Sequence, residues 1–144
     1  MNTKNLIGYN YIDGGKAFKS IDPSNGIELD GEFYAASLAD VGAALALAEK
    51  AANIYRYTDK KTKAEFLRSI ADEINAVGDE LIERAMAESG LPQGRLQGER
   101  GRTTGQLNLF ADFVEEGSWV EAVIDSALPD RQPAARPDIR KMLI

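Results

Sequence analysis

The chain has 144 residues, a net charge of −6, and neither cysteine nor histidine. That excludes thiol catalysis, disulfides, thiolate or imidazole metal sites and every triad built on histidine. The acidic balance also argues against nucleic acid or an anionic membrane as partner, since both need clustered cations.

The start, MNTKNLIGYNYIDGG, lacks the basic opening and apolar run of a signal peptide. No apolar stretch is long enough to span a bilayer. With zero cysteine, a cytoplasmic location is expected. Residues 6–36 read as short strands. Leu6 to Ile12 and Ala17 to Ile21 flank Asp13-Gly14-Gly15, a turn chemistry that predicts a hairpin. Asp22-Pro23-Ser24-Asn25-Gly26 is a second turn signal, and Gly31 to Ala36 a third strand.

Three long helices are expected next. Ser37, with Asp40 three residues on, predicts a capped start, and Val41, Leu45, Ala48, Ala52 and Tyr55 share one face. Thr58 or Asp59 caps the second helix, whose face is Phe66, Ile70 and Ile74, with Leu67 and Ala71 beside it. Gly78 kinks or breaks that helix, and Gly90 followed by Pro92 stops it. The third runs from about Leu96 to Glu116, with Leu107, Phe110, Ala111 and Val114 as its apolar face and Gly117 as its end. Trp119 to Ile124 reads as a strand. A connector with three prolines follows over 128–137, then a last strand from Ile139 to Ile144. Without a following turn or partner, that strand predicts an incomplete chain.

Chemistry-bearing motifs are few. Gly101-Arg102-Thr103-Thr104 imitates the end of a phosphate loop, but Leu96 stands where glycine is needed and Arg102 where lysine is needed. No G-x-G-x-x-G fingerprint is present. The neighbouring pairs Asp72-Glu73 and Glu115-Glu116 point apart on a helix, which suits a solvated face and not acid–base work. Catalytic, cofactor-binding and metal residues are therefore not assigned to this chain. Arg102, Gln106, Leu109 and Phe113 are spaced by four, three and four and line one helix face. A guanidinium beside an amide, over an apolar floor, can hold a carboxylate in a bidentate fork. The alternative is a surface arginine paired with Glu99 or with a neighbouring element.

Four segments carry a resemblance: IDPSNGIEL at 21–29, LADVGAALALAEKAANIYR at 38–56, ADEINAVGDELIERAMAESGLP at 71–92 and LQGERGRTTGQLNLFADFVEEGSW at 96–119. Together they resemble the N-terminal part of an aldehyde dehydrogenase, and the last is similar to the 2,5-dioxovalerate (α-ketoglutarate semialdehyde) branch. Lys63 stands where that family usually has arginine, and Asn53-Ile54 where phenylalanine or proline is commoner.

The resemblance implies an α/β fold in the complete protein. Residues 1–118 would be an incomplete part of the NAD(P)-binding domain, and 119–144 the start of the oligomerisation strands. It implies oxidation of a carboxylate-bearing semialdehyde, 2,5-dioxopentanoate to 2-oxoglutarate, with NAD or NADP, in a homo-oligomer. The nucleophile and cofactor loop would lie outside this chain, leaving it inactive alone. It also places the helix over 102–113 beside the substrate tunnel, which makes Arg102, Gln106 and Phe113 the substrate-carboxylate candidates. Two other readings stay open: a freestanding helical interaction or assembly protein, and an aldehyde dehydrogenase of another substrate class.

Overall fold

A computed structural model describes residues 2–142. The strands at the start pair differently from expectation. β1 (Asn5–Ile7) and β2 (Asn10–Ile12) form an antiparallel hairpin with Leu6 opposite Tyr11. Its two-residue turn begins at Gly8, whose φ of 62° is the left-handed region such turns require. The hairpin expected around Asp13-Gly14-Gly15 does not form. Instead β3 (Ala17–Phe18) pairs with β4 (Phe33–Tyr34), and the Phe18 and Phe33 rings stack with centroids 5.8 Å apart. A side chain at Gly15 would collide with the Ala35 carbonyl, so the glycine serves this close approach and not a turn.

The second turn forms as expected. The Asp22 carboxylate accepts from the Ser24 N–H at 2.8 Å, the Ser24 hydroxyl at 2.6 Å and the Asn25 amide at 3.0 Å. Those donors hold its pKa below the usual carboxylate value, with the Ser24 hydroxyl as the main cause.

α1 (Leu38–Tyr55) opens with a complete capping box between Ser37 and Asp40. Its Val41, Leu45, Ala48, Ala52 and Tyr55 face is exposed along its length. Contact with the rest of the chain is slight: Leu47 comes close to Gly8, and the Tyr55 ring meets Phe66 edge-on at 6.0 Å.

α2 (Lys60–Ala76) is capped by Asp59, whose carboxylate accepts from the Thr62 N–H at 3.0 Å. Gly78, at φ 67° and ψ −136°, breaks the expected second helix in two, so the described residues hold four helices and not three. α3 (Asp79–Ser89) ends at Gly90 in the left-handed conformation. α4 (Gln93–Glu116) begins straight after Pro92, three residues earlier than expected. Its glycines at 94, 98, 101 and 105 therefore lie inside the helix.

α2 and α4 run antiparallel and make the core. Lys60 reaches the Glu116 carbonyl, Arg68 reaches Asp112 and Glu115, and Arg100 reaches the Gly78 carbonyl. Between these ties, Ala64, Ala71 and Ala111 are fully buried, with Thr104 close behind. Small side chains let the two backbones approach closely. The buried α2 face is thus Ala64 and Ala71, flanked by half-buried Leu67 and Ile74. Phe66, expected inside, is 53% exposed. Its position projects beside the face that meets α4, toward α1. α3 adds Ile82 to the core, and α4 adds Leu96.

An arginine ties the strands to the helices. Arg84 of α3 donates to the Asp30 carbonyl at 2.7 Å and to Glu88 at 2.8 Å, and lies 5.6 Å from the Phe33 ring centroid. Glu88 also accepts from the Ser20 hydroxyl at 2.9 Å. The last two strands, β5 (Ala122–Asp125) and β6 (Ile139–Met142), pair antiparallel with Val123 opposite Lys141. β6 thus has a partner, contrary to expectation, because the proline-bearing connector folds back. The strand reading of Leu143 and Ile144 lies outside the described residues. β5 starts three residues later than Trp119, since the chain turns at 117–120 first.

Candidate functional site

α4 carries the candidate residues, and its packing decides where they point. Thr104 and Ala111 turn inward against α2. Arg102, Gln106, Leu109 and Phe113 fall on the side of the helix away from those two, as their spacing requires. All four are exposed, Leu109 by 61% and Phe113 by 48%.

Arg102 has no hydrogen bond or ion pair among the described residues. Glu99, the neighbour expected to pair with it, is held by Arg95 at 3.0 Å instead. Arg95 is a regular helical residue of α4. Arg100 is occupied as well, by the Gly78 carbonyl. Of the three arginines in this part of α4, Arg102 is the one left without a protein partner among the described residues.

A shallow groove of about 470 Å³ lies beside this face, lined by Leu67, Thr103, Gln106, Leu107, Phe110 and Val114. Gln106 is the one candidate in its wall. Arg102 sits one helical turn before Gln106, outside the lining, and Phe113 is outside it too. The structure thus gathers the three on one helix side but brings only Gln106 to the groove. Thr103, Leu67 and Phe110 are groove residues not singled out beforehand as site residues. The signal was present: Thr103 stands four residues before Leu107 and extends the Leu107–Phe110–Val114 row, which reads equally well as core.

Chemically, this face offers an unpaired guanidinium, an amide and an apolar wall. A carboxylate on a short carbon chain matches that set. The α4 glycines at 98, 101 and 105 are helical, so their N–H groups are committed to the helix and not open to a phosphate. The N-termini of α1, α2 and α3 carry Asp40, Asp59 and Asp79 with Glu80, which offset the positive dipole end an anion would seek. No group of His, Cys, Asp and Glu that could hold a metal ion occurs among the described residues. No helix among them is long and apolar enough to cross a membrane.

Known proteins are similar to this chain in sequence and fold. A protein of Azospirillum brasilense named alpha-ketoglutaric semialdehyde dehydrogenase 2 is 50% identical over 137 residues, which is 94% of this chain and 26% of that protein. The alpha-ketoglutaric semialdehyde dehydrogenase of Acinetobacter baylyi is 45% identical over 112 residues, covering 78% of this chain and 21% of that protein. The chain thus spans about a quarter of the length of the curated relatives it matches. The crystal structure of an NAD-dependent benzaldehyde dehydrogenase from Corynebacterium glutamicum superposes with a TM-score of 0.75. It is 24% identical, and the match covers 92% of this chain and 28% of that one, which establishes the shared α/β fold. The aldehyde dehydrogenase family model matches residues 11–134. With that match over most of its length, the chain belongs to the aldehyde dehydrogenase family.

Proposed function

We propose that this chain forms the N-terminal part of an NAD(P)-dependent aldehyde dehydrogenase that oxidises 2,5-dioxopentanoate to 2-oxoglutarate. The identity to two proteins named alpha-ketoglutaric semialdehyde dehydrogenase carries this reading. The chemistry of α4 supports it independently, because a free guanidinium suits a substrate with a distal carboxylate.

In this reading Arg102 binds the carboxylate. Gln106 steadies it from the groove wall, and Phe113 supplies apolar surface on the same side. These are binding roles. Oxidation of an aldehyde also needs a nucleophile and a hydride acceptor, and this chain offers no thiol. NAD or NADP, held by other parts of the protein, supplies the acceptor. Residues 1–118 belong with the cofactor domain, and 119–144 begin the strands that join subunits of a homo-oligomer. The separate pairing of β5 with β6 supports that division. A cytoplasmic location fits the absence of cysteine.

The test is an assay of the full-length protein with 2,5-dioxopentanoate and either nicotinamide cofactor. Reduced cofactor should form, with a higher kcat/KM than for an uncharged aldehyde of equal length. Preference for the uncharged aldehyde would contradict the reading.

A further inference from the structure

A second concave site lies at the other end of the α2–α4 pair. Residues 56–63, RYTDKKTK, hold Arg56, Lys60, Lys61 and Lys63 against one carboxylate, Asp59. That cationic excess runs counter to the net charge of −6. Asp59 does not neutralise it. One of its oxygens accepts from the Thr62 N–H at 3.0 Å and the other from the Thr62 hydroxyl at 2.7 Å. Lys61 meets Glu65 at 3.9 Å. Lys60 and Lys63 donate to backbone carbonyls, of Glu116 and Arg56, each at 3.2 Å. Arg56 has no carboxylate partner among the described residues, and its guanidinium lies 5.7 Å from the Tyr57 ring centroid. The nearby Glu116 carboxylate is turned to the Ser118 N–H at 2.9 Å.

Arg56, Tyr57, Lys63 and Trp119 line a cavity of about 470 Å³. Its lining joins two cations to two aromatic rings and contains no carboxylate. The volume is that of a small-molecule site, roughly 300–1,000 Å³. The rings offer flat apolar walls, and the cations retain charge for an anion to meet.

We propose that this cavity binds a small aromatic carboxylate, with its ring against Tyr57 and Trp119 and its carboxylate on Arg56 and Lys63. The site is separate from the Arg102 face: Arg56 and Tyr57 follow α1, Lys63 belongs to α2, and Trp119 lies beyond the end of α4.

Trp119 is the single tryptophan of these 144 residues, and its fluorescence reports the cavity. Benzoate, titrated into the full-length protein, should change that emission saturably, read as the difference between the parent and Trp119→Phe. Benzamide, which keeps the ring and loses the charge, and inorganic phosphate, which keeps charge and loses the ring, should bind at least about fivefold more weakly. Arg56→Gln should weaken benzoate roughly five- to tenfold, a charge-assisted contact discounted for exposure. Lys63→Met should also weaken it, but Lys63 supports the Arg56 carbonyl, so Arg56→Gln is the deciding variant. Circular dichroism, unchanged in Arg56→Gln, would secure the comparison. A non-saturable response to benzoate would overturn the proposal. So would equal binding of benzamide or phosphate, or unchanged benzoate binding by folded Arg56→Gln.

Discussion

The Arg100 guanidinium of α4 donates to the Gly78 carbonyl at 2.8 Å, at the break between α2 and α3. The contact is partly buried, and it satisfies an acceptor that the interrupted helix leaves open. Arg100→Ala should therefore cost about 1–2 kcal/mol, as for a charge-assisted hydrogen bond in partial solvent. Urea denaturation measures it. Arg100→Lys should recover part of the loss. A variant as stable as the parent would mean that water replaces the guanidinium without cost.

The α4 glycines give the opposite sign. Gly98 and Gly101 lie within the helix, and a Cβ added at either meets nothing within 4 Å. Gly98→Ala and Gly101→Ala should each stabilise this chain by about 0.4–1 kcal/mol, by reducing unfolded-state freedom and raising helix propensity. Thermal melts followed by helix signal would show it. Destabilisation by either alanine would contradict the open surface described.

Those glycines also explain what the sequence conceals. Low propensity argues against a helix over 93–101, yet tertiary packing of Leu96 and Thr104 carries it. Ser37, Asp59, Gly90 and Gly117 were readable as caps because each acts through its own backbone neighbours. The strand pairing was not. Gly15 is a glycine because the Ala35 carbonyl approaches from twenty residues away, a contact that local turn chemistry cannot register. The shared side of Arg102, Gln106 and Phe113 follows from helical spacing alone. Freedom of Arg102 from Glu99 does not, since it depends on Arg95 taking that carboxylate.

Acid should unwind the first two helices from their caps. Asp40 and Asp59 have pKa values held below the ordinary 3.8, mainly by the Ser37 hydroxyl and by the Thr62 backbone N–H respectively. A depressed carboxylate contributes stability that is present above its unfolded pKa and lost as pH falls through its folded pKa. Helix content should thus hold at neutral pH and decline once pH drops below about 3.8. Asp40→Asn and Asp59→Asn should reduce that acid sensitivity. A helix signal that rises on acidification in the parent chain would contradict the assignment.

The apolar faces should drive association. Leu45 is 66% exposed, and Phe66 and Phe110 are half exposed. Side chains of this size, gathered on helix faces, favour burial against a further surface. Sedimentation of the 144-residue chain should show mass increasing with concentration. A monomer with a sharp thermal transition at all concentrations would favour a freestanding interaction protein.

The central claim rests on Arg102, and its test belongs in the full-length enzyme. Arg102→Ala should lower kcat/KM for 2,5-dioxopentanoate by roughly 10- to 200-fold, from about 1.5–3 kcal/mol for a charge-assisted contact. An uncharged aldehyde of similar length should be nearly unaffected. Arg102→Lys should restore only part, because an ammonium lacks the planar fork. Loss confined to the carboxylate-bearing substrate is the result this account predicts. Equal losses on both substrates, or none on either, would contradict it.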